Sequence, residues 1–261
     1  MRSKKNNNSL DTRMKIYELP YKQRIVNKMP IVIRLDGKAF HTFTKGLKKP
    51  FDDLLIDTMQ KTTVSLCKDI QGAKFGYTQS DEITIISTLD DFIRSQQYLD
   101  GKVQKILSIT ASKATKYFNM HFYNNVEKLK ENPNLFKEIV DYEVYSKKIF
   151  KAEFDCRVMN IPETDIINNI IWRQEDASKN SLSALAQSHF TQKELDKKKK
   201  SDLMDMLMLE KGINWNDLPI YKKRGSCCYR NENRKWVLDL NMPIITKDRN
   251  FIEKHYIKEN N

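Results

Sequence analysis

Two strand-like runs, Ala73 to Thr78 and Ile83 to Thr88, are separated only by the polar residues Gln79-Ser80-Asp81-Glu82. So short a connection joins antiparallel neighbours, which makes the middle of the chain a hairpin with two acids at its tip. Upstream, the β-branched run Ile31 to Leu35 reads as a strand that closes at Asp36-Gly37. A basic, turn-rich stretch from Thr42 to Pro50 follows. From Asp52 the spacing predicts a helix, with Leu55, Ile56, Met59, Thr63, Leu66 and Ile70 on one face and Gly72 as its stop. Downstream, a second helix is expected from Leu99 to Phe118, with Val103, Ile106, Leu107, Thr110, Ala114 and Phe118 sharing a face. Phe154, Cys156 and Val158 then alternate as a half-buried strand reaching Ile161-Pro162, while His121 to Phe150 receives no assignment. The order β-α-β-β-α-β is that of a ferredoxin-type antiparallel sheet, four strands with two helices on one face. The expected fold class is α+β.

Beyond Pro162, Glu163-Thr164-Asp165 caps a long expected helix carrying Ile166, Ile170, Ile171, Ala177, Leu182 and Leu185. Lys197 to Lys200 is a charged face, Asp202 to Leu209 a Met- and Leu-rich helix, and Gly225 to Arg230 with Lys235 to Leu240 a second hairpin. Trp172 and Trp215 read as core. The chain is therefore expected to divide into a sheet domain, 1–162, and a helical and hairpin extension packed on it, 163–261. Residues 1–12 would form a flexible tail.

Composition narrows the class of function. Lys and Arg number 46 against 34 Asp and Glu, a formal charge of +12, which suits a polyanionic partner. A general Lys-rich bias accounts for the same charge. With 39% hydrophobic residues the chain can build a core, which excludes wholesale disorder. No apolar run approaches the roughly 18 residues that a membrane span needs, so no membrane partner is expected. The Lys- and Asn-rich Met1 to Asn8 has no apolar segment behind it, and a cytoplasmic location is expected. Cys67, Cys156, Cys227 and Cys228 lack C-x-x-C spacing and read as reduced thiols.

Asp36 ends the first strand and Asp81 stands at the hairpin tip. In this topology the two carboxylates can converge at one end of the sheet, where paired acids hold Mg²⁺ through hard oxygen ligands. Gly37 lets the backbone approach closely, which offers its carbonyl as a third ligand. On these residues alone the plainer reading is favoured, Asp36-Gly37 as a turn dipeptide and Asp81-Glu82 as hairpin polarity, since D-G turns are common.

Longer blocks carry more information. Ile33-Arg34-Leu35-Asp36-Gly37-Lys38-Ala39-Phe40-His41 resembles the R-[IL]-D-G-x-x-F-H signature of the tRNA-His guanylyltransferase family and its relatives. Tyr77-Thr78-Gln79-Ser80-Asp81-Glu82 is similar to that family's Y-x-Q-S-D-E hairpin, and Arg13-Met14-Lys15-x-Tyr17-Glu18 to its R-M-K-x-Y-E. Gly101 to Ile106 resembles its G-[GR]-x-x-K helix start. Ile171-Trp172-Arg173-Gln174 with Asp176, and Gly212 to Pro219 with Tyr221 to Gly225, resemble its C-terminal blocks. The blocks run in order from Arg13 to about Arg230.

The resemblance implies a polymerase-palm-like domain that adds nucleotides in the 3'-5' direction, the incoming 3'-hydroxyl attacking an activated 5'-phosphate of a tRNA. It implies Asp36 and Asp81 as ligands of two Mg²⁺ ions, the Gly37 carbonyl assisting, with Glu82 a minor ligand or a supporting acid. GTP and ATP would be substrates. Arg34, Lys38, Ala39, Phe40, His41, Lys49, Ser80, Lys102 and Lys105 carry over as nucleotide-binding residues. His41 is divided between that role and packing under the loop. Lys102 and Lys105, one turn apart at a helix start, would grip phosphates with help from the helix N-terminus. Arg173, Asn180, Lys222, Lys223 and Arg224 fall in blocks expected to touch RNA. A homotetramer is implied as well.

One departure bears on the substrate. Where the guanylyltransferases proper carry H-I-N-N-L-Y, this chain has Ser178-Lys179-Asn180-Ser181-Leu182-Ser183. That resembles the guanylyltransferase-like branch, and the expected function is template-directed repair of truncated tRNA 5' ends. Addition of the extra guanosine to tRNA-His is the alternative. A palm-domain nucleotide cyclase and a non-catalytic RNA-binding protein are the readings from other classes.

Overall fold

The computed structural model describes residues 9–89, 95–132 and 141–256. In chain order its main elements are α1 (Leu10–Glu18), β1 (Ile31–Gly37), α2 (Phe40–Phe43), α3 (Asp53–Asp69), β2 (Ala73–Gln79), β3 (Glu82–Ser87), α4 (Val103–Glu131) and α5 (Tyr142–Ser146). They continue with β4 (Phe154–Asn160), α6 (Ile166–Gln187), α7 (Gln192–Leu195), α8 (Lys200–Lys211), α9 (Ile220–Arg224), β5 (Ser226–Arg230), β6 (Trp236–Asp239) and α10 (Asn250–Tyr256). The strands form one six-stranded antiparallel sheet in the order β4-β1-β3-β2-β5-β6. The C-terminal hairpin thus extends the sheet edge at β2 instead of standing apart from it.

Alternation along β1 and β3 sends Ile31, Ile33, Leu35, Ile83 and Ile85 into a core shared with α3 and α4. Asp52 caps α3, accepting from the Leu55 amide at 2.8 Å and from the Tyr145 hydroxyl. The core stripe of α3 is Leu54, Thr58, Met59, Thr62, Thr63, Leu66 and Cys67. Leu55 and Ile56, expected in it, are half-buried and line a cavity described below.

The second helix runs well past Phe118. Phe122, Val126 and Leu129 continue its buried stripe, and Phe122 stacks on Phe118. Its polar exposed positions hide that continuation from a reading of hydrophobicity. Thr115 accepts from the Phe154 amide, and Asn119 bonds both ways with the Ala152 backbone. These contacts pin α4 to the start of β4. The unassigned region 121–150 therefore holds the end of α4 and the short α5, with 133–140 outside the described residues.

The opposite face of the sheet is covered at β2 and β5 by the C-terminal half. Phe75, Tyr77 and Ile86 pack against Ile166, Ile170, Ala177, Met242, Ile245 and Ile252. Helix α1 begins inside the expected tail and buries none of its residues. Among the described residues, no helix is long and apolar enough to cross a membrane.

Candidate active site

Three strands end together where β1 closes. Asp36 stands in register with Glu82 on β3 and with Asp155 on β4, all on the face away from α3 and α4. The β2–β3 turn brings Asp81 to the same place, its carbonyl accepting from the Gly37 amide at 3.1 Å. Ser80 holds the turn in a left-handed conformation, φ 54°, and its hydroxyl donates to Asp81 Oδ1 at 3.0 Å. Gly37 is required by packing: a Cβ there would overlap the ring of Phe40, which is buried and stacked on Phe43. The glycine thus allows α2 to fold back beneath the acids.

Crowding sets the electrostatics. Burial, then Glu82 and Asp155, pushes the Asp36 carboxyl above its usual range, against smaller opposing effects of Arg34 and Arg157. Burial also raises Asp81, with Asp36 and Glu82 adding to it against the Ser80 hydrogen bond. The exposed Arg157 lies 3.8 Å from Asp36 and 3.7 Å from Asp155. Carboxylates held together in this way favour a cation among them.

Glu82 has a different environment. Arg34 pairs with its Oε1, and Arg173 pairs with Oε2 at 2.7 Å. Arg173 also reaches Asp176 Oδ2 at 2.7 Å, which Asn180 contacts in turn. With both oxygens held by guanidinium groups, Glu82 fits the supporting role of its two expected ones and not that of a metal ligand. Arg34, expected at nucleotide, is engaged by Glu82.

Two cavities meet at the hairpin tip, sharing Leu55, Ser80 and Asp81. One, of about 440 Å³, is bordered by Gly37, Ala39, Phe40 and His41. The other, of about 250 Å³, reaches from Phe51 and Gln60 on one side to Asn180 and Lys222 on the other. The structure therefore brings together Asp36, Gly37, Ala39, Phe40, His41, Ser80, Asp81 and Glu82. Lys38 is exposed beside them and paired with Glu153 at 2.6 Å, and Lys49 is exposed on the loop before α3.

Other expected residues are buried, internally paired or distant. Arg173 is 5% exposed and internally paired, so as placed it cannot touch RNA. Lys223 is 9% exposed, its ammonium bound to the Asn216 carbonyl. Lys222 pairs with Asp53 at 2.7 Å at the cavity wall, and Arg224 donates to the Met242 carbonyl. The basic run 222–224 thus turns inward, because α9 sits beneath α6 and the β2 edge. Lys102 and Lys105 lie at the other end of the sheet: Lys102 bridges Arg24 near the start of β1, whereas Thr115 reaches the β4 residue in register with Gly37. Val103 to Thr115 spans about 18 Å of helix. Trp172, expected in the core, is 52% exposed, whereas Trp215 is buried at 7%.

Asp155, Arg157, Gln60 and Asp53 also border the site, with no role expected for them there from the sequence. For the first two a signal existed: once Phe154, Cys156 and Val158 are the inward positions of a strand, Asp155 and Arg157 must face outward beside β1. Gln60 and Asp53 sit on a polar helix face and gave none.

A profile of the tRNAHis guanylyltransferase (Thg1) family matches residues 11–162. A bacterial tRNA(HIS) guanylyltransferase (Thg1)-like protein solved in complex with ATP superposes with a TM-score of 0.81 at 41% identity, over 95% of this chain and 100% of that one. Another such bacterial structure, in complex with GTP, gives 0.74 at 36% identity, over 96% and 100%. Among curated proteins, the uncharacterized protein R259 of Acanthamoeba polyphaga mimivirus is 28% identical over 84% of this chain and 76% of its own length. The chain belongs to the tRNAHis guanylyltransferase (Thg1) family, whose members are nucleotidyltransferases.

Proposed function

We propose that the chain adds nucleotides in the 3'-5' direction, under template direction, to the 5' ends of truncated tRNA. The observation that carries this reading is the Gly37–Asp81 backbone bond, which holds the β1 end that carries Asp36 against the turn that carries Asp81, where two cavities meet. In this reading the sheet serves as a polymerase-like palm. Two carboxylates and the Gly37 carbonyl are a partial ligand set, which suits Mg²⁺, an ion that usually keeps positions for substrate phosphates. Among the described residues no cluster of three or more His, Cys, Asp or Glu side chains is arranged to hold a metal. When bound, two Mg²⁺ ions would neutralise phosphate charge and lower the pKa of the attacking hydroxyl.

The chain's own residues then have separate tasks. Asp36 and Asp81 orient the reacting phosphate. Glu82, clamped by Arg34 and Arg173, fixes the strand end that carries them. Ser80, Lys38, His41 and Lys49 surround the triphosphate of GTP or ATP, the nucleotides bound by the two solved relatives. Lys102 and Lys105 contact phosphates from a neighbouring copy in a homotetramer. The unburied α1, with Leu10, Met14, Ile16 and Tyr17 exposed, offers a surface for such assembly. The work is proposed to take place in the cytoplasm.

Repair is preferred to guanosine addition because of what replaces H-I-N-N-L-Y. Leu182 is packed in the core, and Ser181 is buried between the Lys222 carbonyl and Trp215 Nε1. These positions thus serve packing, and Asn180 alone of the expected RNA residues on α6 reaches the cavity. The test offers the protein, with Mg²⁺, ATP and GTP, two labelled tRNAs. One lacks its first 5' nucleotide, and the other is full-length tRNA-His without its extra guanosine. Faster restoration of the first supports repair. Faster extension of the second supports the guanylyltransferase alternative, and cyclic product from nucleotide alone would support a cyclase.

A further inference from the structure

One aromatic side chain beside the acid end has no place in the core. The Trp172 indole lies 4.0 Å from the Arg173 guanidinium and 5.6 Å from that of Arg34. Both arginines are held by Glu82, and the Nε of each is buried without a hydrogen-bond acceptor. A π face against a guanidinium supplies part of the attraction that the absent acceptors do not. The indole is therefore fixed by charges beneath it, while about half of the side chain remains open to solvent at 52% exposure. Such an arrangement buries little. It presents a rigid aromatic surface to solvent.

Its position gives that surface a use. Arg34 is two residues from Asp36 on the same face of β1, a separation of about 7 Å. A nucleotide with its phosphate at Asp36 has its own base within reach of Trp172. Arg157, 55% exposed and 3.8 Å from Asp36, stands beside the path such a phosphate would take. Trp172 lines neither of the two cavities at the hairpin tip. Concave clefts suit a mononucleotide, whereas an open aromatic platform suits the end of a strand.

We infer that Trp172 is the stacking platform for the terminal base at the 5' end of the RNA, setting that nucleotide's phosphate over Asp36. The inference rests on the proposed addition to RNA 5' ends and names the residue that receives the RNA. Stacking on a π face accepts any base, which suits an enzyme that takes its sequence from a template. Trp172 is a binding residue and takes no part in bond making.

The experiment uses the full chain and a tRNA that lacks its first nucleotide and carries 2-aminopurine at the new 5' terminus. Binding to the wild type is expected to quench the 2-aminopurine fluorescence. Trp172→Ala is expected to lose the quenching and to raise the KM for this tRNA roughly 5- to 100-fold, leaving the KM for GTP unchanged. Trp172→Phe, which keeps a ring over Arg173, is expected to fall between, and matched thermal melting of the three proteins guards against a folding defect. Asp36→Ala is expected to quench like the wild type while losing turnover, which separates stacking from chemistry. Quenching and tRNA KM in Trp172→Ala within twofold of wild type would overturn the inference, as would a change confined to the KM for GTP. If the wild type binds the tRNA without extending it, the functional reading fails, and the quenching comparison still decides the platform.

Discussion

The two faces of β1 and β3 are made by alternate residues of the same strands, yet they behave as different materials at the acid end. Toward α3 and α4 stand Ile31, Ile33, Leu35, Ile83 and Ile85, each at most 1% exposed. Burial of side chains like these contributes about 1.5–3 kcal/mol apiece. On the other face, Asp36, Glu82 and Asp155 lie abreast across three strands, an arrangement in which like charges directly opposite each other destabilise. The carboxylates remain together because Arg34, Arg157 and Arg173 are interleaved with them and because the apolar face holds the strands regardless. One face supplies cohesion, and the other holds crowded carboxylates whose repulsion a bound cation would relieve.

This contrast can be broken from either side. The largest stability effect belongs to the apolar face: Ile85→Ala is expected to cost about 3 kcal/mol in urea unfolding, with activity per folded molecule unchanged. Arg173→Ala acts on both sides. It removes one of the two guanidinium groups from Glu82 and leaves Asp176 with only its Asn180 contact, for an expected loss of about 2 kcal/mol together with slower turnover. Both are read by denaturation and by single-turnover assay of the same preparations. Turnover unchanged in Arg173→Ala would show that Glu82 needs no clamp.

The smallest effect has the opposite sign. Asp36→Asn is expected to stabilise the metal-free protein by less than about 1 kcal/mol, since it removes repulsion at a partly exposed site. The pH dependence follows from the raised pKa of Asp36 and Asp81. The folded state holds those protons more tightly than the unfolded chain does, so metal-free stability falls as pH rises from the ordinary carboxylate range upward. Melting with a chelator present should show that fall in the wild type and a shallower one in Asp36→Asn. Saturating Mg²⁺ should diminish the difference.

The sequence carried the apolar face plainly, because a period of two in Ile31 to Leu35 and Ile83 to Thr88 is a local property. The acid pair was legible through motif and topology together, since Asp36 and Asp81 meet only if β1 lies beside the hairpin. Partnerships over long separations were not legible. Nothing near Arg173 tells that Glu82, 91 residues away, buries it, and a basic run such as Lys222-Lys223-Arg224 looks like surface until α9 is seen tucked under α6. Trp172 was legible in part: Ile166, Ile170, Arg173 and Ala177 form the buried stripe of α6, and position 172 falls about 100° away from Arg173. For Lys102 and Lys105 the signals are a motif and a helix start, and neither carries information about the length of sheet that separates them from Asp81.

Asp36 and Asp81 together form the proposed nucleotidyl-transfer centre. It is tested most directly by single-turnover addition of labelled guanosine to a 5'-truncated tRNA by the wild type, Asp36→Ala and Asp81→Ala, with tRNA binding measured on the same samples. The expected result is turnover by the wild type, a loss of about a thousandfold or more in each variant, and tRNA affinity within a fewfold of wild type in all three. Turnover in either variant within tenfold of the wild type would contradict it.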